Sequence, residues 1–484
     1  MSAVAQDNPL WTSLGVIEPL ASRVSGGLPR REITGISIDS RTLQQGDLFF
    51  AIKGLNSDGH DYTGAAFARG AAAAVVDEAH AELLRPFGPL YVVKDVLAAL
   101  ERLGIAARAR SQARIAAVTG SVGKTSTKEA LRLVVSQAGA AHASTASYNN
   151  HWGVPLTLAR MPKAAKFGVF EIGMNHGGEI TPLAAMVRPH IAIITTIAPV
   201  HLENFRSVDE IADAKAELFS GLVPGGVVIL NRDIAQYDRL FSHAKSSRAG
   251  HVAAFGEHRS ADAVLRNVKI GESHSVVDAD IHGQRITFRL GIPGRHFAMN
   301  SLAVLLAAKA LGIGLESAAA TLALSAPQPG RGERLALSVK DGIYTLIDES
   351  YNANPASMRA ALALVGALPL RNKGRRIAVV GDMLELGPDA SMMHAELAKD
   401  VAANRFDLVF AAGSLSKHLF DALPGPVRGA WREHAADIVE PLEAVLRGGD
   451  IVIVKGSNAS RMGTIVEALK KQAGESPSVG AAKC

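Results

Sequence analysis

The sequence predicts an α/β protein of three domains: a small α/β domain, a central phosphate-loop domain with a mostly parallel sheet, and a C-terminal Rossmann-like α/β domain. Three observations predict it. A glycine loop, Thr119-Gly-Ser-Val-Gly-Lys-Thr-Ser-Thr-Lys-Glu129, sits between a short apolar run and a helical pattern. Apolar runs alternate with helical patterns after this loop and again in the last third of the chain, the rhythm of crossover-connected parallel strands. A chain of 484 residues also exceeds one ordinary core; at about 150 residues per domain it suggests three.

The first domain, residues 1–110, carries short β-like pieces at 33–38, 47–52 and 90–93 among alanine-rich helical stretches, with turns marked by Gly26-Gly27 and Asp58-Gly59. The second, residues 111–329, opens with the glycine loop. An apolar run at 115–118 feeds it and a helical pattern at 128–135 leaves it, so loop N–H groups and the helix N-terminus point at an anion. Lys124 is placed to reach the outer phosphates of a nucleotide and the Thr125 hydroxyl to ligate Mg²⁺. The loop is not a strict Walker A, because Val118 stands where that pattern wants its first glycine. Apolar runs at 167–172, 191–197 and 227–231 continue the sheet. Polar alternation over 260–290 predicts an antiparallel extension, and 298–311 a helix. Residues 325–332, Ser-Ala-Pro-Gln-Pro-Gly-Arg-Gly, are a linker by composition. The third domain, residues 330–484, repeats the rhythm with strands expected at 344–348, 377–380, 408–411 and 451–455, and 474–484 reads as a frayed tail.

Composition narrows the function class. A 48% hydrophobic, 20% charged chain is globular. The formal charge of +5 suits anionic small molecules, and without a dense Lys/Arg block no nucleic-acid partner is expected. The single cysteine, Cys484, fits a reducing compartment. No secretory pattern opens the chain, and no apolar run reaches the ~20 residues of a membrane span. The expectation is a cytoplasmic monomer.

Several residues carry chemistry beyond the loop. Glu171 ends an apolar run, where ligands of doubly wound sheets sit, and a carboxylate one strand from a phosphate loop is placed to bind the nucleotide's Mg²⁺; a solvated strand-end Glu is the bland alternative. His201 follows the next strand and faces the same crevice, although a lone His is more often structural. Ser207-Val-Asp-Glu210 reads as a capping box. On the helix it opens, Ile211, Ala214, Leu218, Phe219 and Leu222 form an apolar stripe, and Lys215 falls on or beside it: a snorkelling lysine, or one held at a metal or phosphate site. Arg331 sits in the linker, where it is either a solvated charge or a group that swings onto a γ-phosphate as domains close. Asp348-Glu-Ser-Tyr-Asn-Ala-Asn-Pro355 suggests a polar binding loop, or a plain turn.

Taken together, these residues resemble the Mur ligase family of peptidoglycan synthesis over nearly the whole chain. Asp39-Ser-Arg41, Gly46-Asp-Leu-Phe49, Lys53-Gly54 and Asp58-Gly-His60 are similar to a UDP-substrate domain. The short phosphate loop, Tyr148-Asn-Asn150 with Gly153-Val-Pro155, and Glu171-Ile-Gly-Met-Asn175 are similar to the ATP-binding domain. Ser350-Tyr-Asn-Ala-Asn-Pro355, Gly381-Asp-Met-Leu-Glu-Leu-Gly387 and Lys455-Gly-Ser457 are similar to the ligase domain. The resemblance implies that Gly120, Ser121, Val122, Gly123, Lys124, Thr125 and Ser126 bind ATP phosphates. It places Asn300 near the adenine, and Arg331 with Asp348 or Glu349 near phosphates and ribose. Thr125 and Glu171 would hold one Mg²⁺ and His201 a second, and Lys215 would act as a metal-site carbamate. Lys124, His201, Lys215 and Arg331 would be the catalytic group. Ser40, Arg41, Lys53, Asn149, Asn150, Asn352 and Asn354 would bind substrate. Phe297 stands where many relatives have Asn, Asp348-Glu349 where Asp-Asp is common, and Asn458 where Arg is frequent.

The activity so implied is ATP-driven amide formation, through an acyl phosphate, between UDP-N-acetylmuramoyl-tripeptide and D-alanyl-D-alanine. Tyr351-Asn-Ala-Asn-Pro355 favours it over the family's preceding step, addition of the third amino acid. A phosphate-loop NTPase switch is the alternative from another class, against which the set Glu171, His201 and Lys215 argues.

Overall fold

The computed structural model describes residues 9–54, 57–145, 147–200, 202–370 and 373–474. Three sheets follow one another along the chain, each with helices on both faces. The predicted three-domain α/β class is the architecture found.

The first sheet has five strands in the order Arg23–Ser25, Leu90–Val93, Ala73–Asp77, Asp47–Phe50 and Gly35–Ser37, parallel except for the first. Ala73–Asp77 lies inside the alanine-rich run that reads as helical. Four of its five residues are fully buried, so small side chains serve close packing on both faces there. Asp58, His60 and His80 cluster at this sheet. His60 Nδ1 lies 2.6 Å from Asp58 Oδ1, its Nε2 accepts the Asp77 N–H, and its ring stacks on His80 at 4.1 Å. Both nitrogens are thus engaged in holding two turns together.

The second sheet has nine strands. From one edge they run Gln284–Leu290, Ser275–Ile281, Ala263–Ile270, Ala249–Gly256, Gly226–Asn231, Ile191–Ile194, Arg114–Thr119, Phe167–Glu171 and Ala141–Ala143. The first three pair antiparallel, as the polar alternation predicts, and the rest are parallel. The helices Lys124–Ala138, Arg295–Ala310 and Leu315–Leu322 cover one face, and Gly153–Ala159, Ile180–Val187, Val208–Ala216 and Tyr237–Lys245 lie on the other. The strand entering the glycine loop lies between two later strands, Phe167–Glu171 on one side and Ile191–Ile194 on the other. A doubly wound sheet reverses there and opens a crevice at the strands' carboxyl ends.

The third sheet runs Glu333–Val339, Gly342–Glu349, Ile451–Lys455, Arg376–Gly381, Leu408–Ala412 and Arg428–Arg432, antiparallel only at its first pair. Within residues 325–332, Gln328 bridges to Arg331 and Gly332, so the linker is an ordered turn. The expected tail lies beyond Gly474, outside the described residues.

The first two domains share a core: Leu156 and Ala159 of the second pack with Leu100, Leu103 and Phe50 of the first. Trp11 Nε1 donates to Ala159 O at 3.0 Å, and Arg160 Nε to Ile36 O at 2.7 Å. The third domain meets the second through polar groups. Arg331 reaches Ser147, Arg334 donates to the Glu272 carbonyl, and the turn at Gly387 approaches Leu202 and Glu203. Among the described residues no helix is long and apolar enough to cross a membrane.

Candidate active site

The buried strand Arg114–Thr119 delivers the chain into residues 120–123, and the helix Lys124–Ala138 leaves it. Gly120 and Gly123 have φ of 146° and 85°, conformations that L side chains avoid. A Cβ on Gly120 would collide with Thr195 Oγ1, and one on Gly123 with Asn300 Nδ2. Gly123 is the N-cap and supplies no side-chain acceptor, so the first-turn N–H groups stay available to an anion. Thr195 Oγ1 donates to Val122 O at 2.6 Å, while Ser121 Oγ donates to Ala198 O at 3.1 Å and accepts the Ala198 N–H at 3.0 Å. Ser126 Oγ caps Gly123 O at 3.1 Å. The loop is therefore braced from the neighbouring strand end before any ligand arrives.

Lys124 Nζ folds back onto Gly120 O at 2.7 Å. Burial lowers its affinity for a proton; the Glu171 carboxylate opposes that effect and Arg331 reinforces it. Glu171 is 1% exposed at the end of its strand. Its Oε1 accepts Asn149 Nδ2–H at 2.8 Å, and its Oε2 is buried with no hydrogen-bond partner. A desolvated carboxylate oxygen left unpaired is costly; together with the Thr125 hydroxyl, which Ser147 of the segment that also carries Asn149 contacts, it is a donor set that fits a hard divalent cation.

The helix Val208–Ala216 starts as its sequence predicts. The Ser207 hydroxyl accepts the Glu210 N–H, although Glu210 reaches back to the Arg206 N–H and leaves the box half-made. Lys215 is 1% exposed and makes no hydrogen bond or ion pair with a described residue. It does not snorkel. Burial, then the nearby Lys124 cation, drive its proton affinity well below that of an ordinary lysine. His201 lies outside the described residues.

From the third domain, Arg331 places its guanidinium over the Tyr351 ring at 3.9 Å and donates from Nη2 to Ser147 Oγ at 3.2 Å. The acid pair divides. Asp348, 4% exposed, spends Oδ1 on Ser350 and Oδ2 on the Gly330 N–H. Glu349 pairs with Lys455 Nζ at 3.3 Å and faces His296, whose proton affinity burial lowers. Asn354 is the N-cap of Pro355–Gly366, with a complete capping box to Ser357. Asn352 is exposed, and its Oδ1 accepts the Ala353 N–H. Asn150 Oδ1 accepts the Gly153 N–H. In the first domain Ser40 is buried, Lys53 is exposed and Arg41, 85% exposed, pairs with Asp39 at 2.8 Å.

The structure thus gathers Lys124, Thr125, Glu171, Lys215, Asn149, Asn300 and Arg331 around one loop. It engages Asn150, Asn354 and Asp348 in local turns, and sets Ser40, Arg41 and Lys53 apart in the first domain, outside the strands of its sheet. Beside the loop a cavity of about 130 Å³ is lined by residues including Ser126, Phe297, Gln328 and Arg331. Thr195 and Ser147 are partners that the sequence does not single out. Ser and Thr are abundant in turns, and only proximity distinguishes these.

Family models describe three segments of the chain: the Mur ligase family catalytic domain over residues 32–108, the Mur ligase middle domain over 118–308, and the Mur ligase glutamate ligase domain over 330–458. The chain is 31% identical over 458 residues to the UDP-N-acetylmuramoyl-tripeptide--D-alanyl-D-alanine ligase of Rickettsia prowazekii, covering 95% of this chain and 99% of that one. It is 32% identical over 468 residues to the enzyme of the same name from Escherichia coli, covering 94% and 98%. Among solved structures it resembles MurF from Acinetobacter baumannii, with a TM-score of 0.81, 28% identity and coverage of 95% and 99%.

Proposed function

The chain belongs to the Mur ligase family, and from that premise we infer how its site performs the family's chemistry. It is an ATP-dependent ligase that joins D-alanyl-D-alanine to UDP-N-acetylmuramoyl-tripeptide in peptidoglycan synthesis. The observation that carries the assignment of the site is the convergence of Lys124, Thr125 and the unpartnered Glu171 Oε2 on one glycine loop.

A carboxylate resists attack by an amine, so the terminal carboxylate of the tripeptide first takes the γ-phosphoryl group of ATP. The amine of D-alanyl-D-alanine then attacks the acyl carbon, and phosphate leaves. Residues 120–126 cradle the phosphates with backbone N–H groups, Lys124 neutralises the developing charge, and Arg331 joins it from the third domain. Thr125 and Glu171 would hold Mg²⁺, whose chemistry is to neutralise charge on the phosphates. A second Mg²⁺, at His201 and Lys215, belongs to the proposal. So does a carbamate on Lys215: a buried amine of low proton affinity is nucleophilic toward CO2, and the product, formed with release of a proton, would set an anionic oxygen donor beside the Lys124 cation. We place the base in the cavity by Phe297, near Asn300. The UDP moiety goes to the first domain at Ser40, Arg41 and Lys53, and the peptide end goes near Asn149, Asn150, Asn352 and Asn354. Glu349 rather than Asp348 is the acid of that pair we assign to the nucleotide, since Asp348 already satisfies its own turn. Domain limits of 1–110, 111–329 and 330–484, a monomer, and a cytoplasmic location complete the proposal.

Phosphate release from ATP and UDP-muramoyl-tripeptide tests it. Release should require D-alanyl-D-alanine, single amino acids should not substitute, and Lys124→Ala should form no acyl phosphate. Turnover without either ligase substrate would favour an NTPase switch instead.

A further inference from the structure

Residues 144, 145 and 147–150 lie between the strand Ala141–Ala143 and the helix Gly153–Ala159, and three separate parts of the site converge on them. At the start of the segment, Ser144 O accepts Lys128 Nζ at 2.8 Å and Ser144 Oγ accepts the Glu171 N–H at 3.3 Å. Near its end, Asn149 holds Glu171 Oε1 at 2.8 Å and accepts the Gly173 N–H at 2.8 Å. Between them, half-buried Ser147 puts its Oγ 3.4 Å from Thr125 Oγ1 and accepts Arg331 Nη2–H at 3.2 Å. Ser147 is the described residue that touches both the phosphate-loop threonine and the arginine arriving from the third domain.

We propose that Ser147 is a positioning residue that couples the seating of Arg331 to the orientation of the Thr125 hydroxyl. A guanidinium can only donate. When Arg331 occupies a lone pair of Ser147 Oγ, the serine O–H is left directed by that bond and by the geometry of its neighbours, and Thr125 Oγ1 lies in reach. Thr125 then presents a defined lone pair to a cation. Without Arg331 the serine hydroxyl rotates, and the threonine loses its fixed partner. The segment is anchored at both ends to Glu171, so the other candidate cation ligand is held in the same frame. Docking of the third domain is in this way sensed at the metal-binding hydroxyl, before chemistry begins. The proposal rests on the assignment of Thr125 and Arg331 to the nucleotide site made above.

Full-length wild type, Ser147→Ala, Ser147→Thr, Arg331→Met and the Ser147→Ala/Arg331→Met pair test it. Two readouts are needed: steady-state ligation, and ADP binding by titration calorimetry with and without Mg²⁺. Ser147→Ala should lose about tenfold or more in kcat, the scale of one hydrogen bond to a charged group. It should keep its KM for the UDP substrate within about twofold, and lose most of the Mg²⁺-dependent gain in ADP affinity while binding metal-free ADP like wild type. Ser147→Thr, which keeps the hydroxyl, should restore both. Arg331→Met should cost less on the Ser147→Ala background than alone, by the share that passes through Ser147, while the loss of its direct effect on the phosphates remains in both. Additive penalties, or a Ser147→Ala enzyme with the wild-type Mg²⁺ response, overturn the coupling. Wild type without dipeptide-dependent turnover would instead sink the functional assignment, so the two failures are distinct.

Discussion

Lys215 sits where a charged amine should not. It is 1% exposed, lacks a described partner, and feels the Lys124 cation, so its folded-state proton affinity falls well below the ordinary lysine value. The sign of the resulting pH dependence follows. Between its lowered folded value and the unfolded value of about 10.4 the unfolded chain holds more protons, so stability rises with pH across that window. Lys215→Met removes this penalty at nearly constant volume. In bicarbonate-free buffer the variant should be more stable than wild type by roughly 1 kcal/mol or more near pH 7, and the advantage should shrink toward pH ~10. Denaturant titrations at both pH values check it, and an unchanged or reversed difference would mean the amine is solvated after all. Activity should move the other way. If Lys215 works as a carbamate, Lys215→Ala should lose ligation and recover part of it with added formate or acetate; no loss, or no recovery, counts against that role. Position on an apolar stripe marked Lys215 as unusual in the sequence. That it faces Lys124 was not readable, because the two lie on different helices joined only by the fold.

The phosphate loop is the element most legible in the sequence, since its requirements are local. Two glycines with positive φ, a lysine and a threonine must follow a buried strand at fixed spacing. Even so, the helix begins at Lys124 rather than near residue 128. Apolar periodicity reports only the face that packs, and the first turn faces the ligand site instead. The strand after Glu171 likewise ends at Ile194, not 197, because Thr195 turns its hydroxyl onto Val122 O. Gly123→Ala tests how tight this element is. The left-handed conformation costs an alanine roughly 1–2 kcal/mol, and the new Cβ also collides with Asn300. Gly283→Ala, at φ 81° in an open hairpin turn, carries the strain without the collision. Nucleotide affinity should drop about tenfold or more in the first variant and stay at the wild-type level in the second. Equal nucleotide affinity in the two variants would mean that the loop accommodates a Cβ at position 123 after all.

At the scale of the whole molecule, shared apolar packing joins the first two domains, whereas Arg331, Arg334 and the turn at Gly387 link the third to the second. A shared core makes unfolding cooperative; polar contacts leave relative motion as the expectation. Scanning calorimetry should therefore resolve two transitions in the free enzyme, one for the first two domains together and one for the third, and nucleotide with UDP substrate should draw them closer. A single transition in the free enzyme would contradict this division. The sequence by itself determined the three α/β domains, the positions of most strands, the phosphate loop and its family, because glycine placement, apolar runs and motif order are properties of neighbours along the chain. Only the tertiary structure decided that Asn354 and Asp348 serve their own turns, that Glu171 keeps a bare oxygen, and that Ser147 stands between Thr125 and Arg331. Those facts depend on side chains brought together from distant segments, where distance and competing hydrogen-bond partners, not residue type, settle which group is left to meet a ligand.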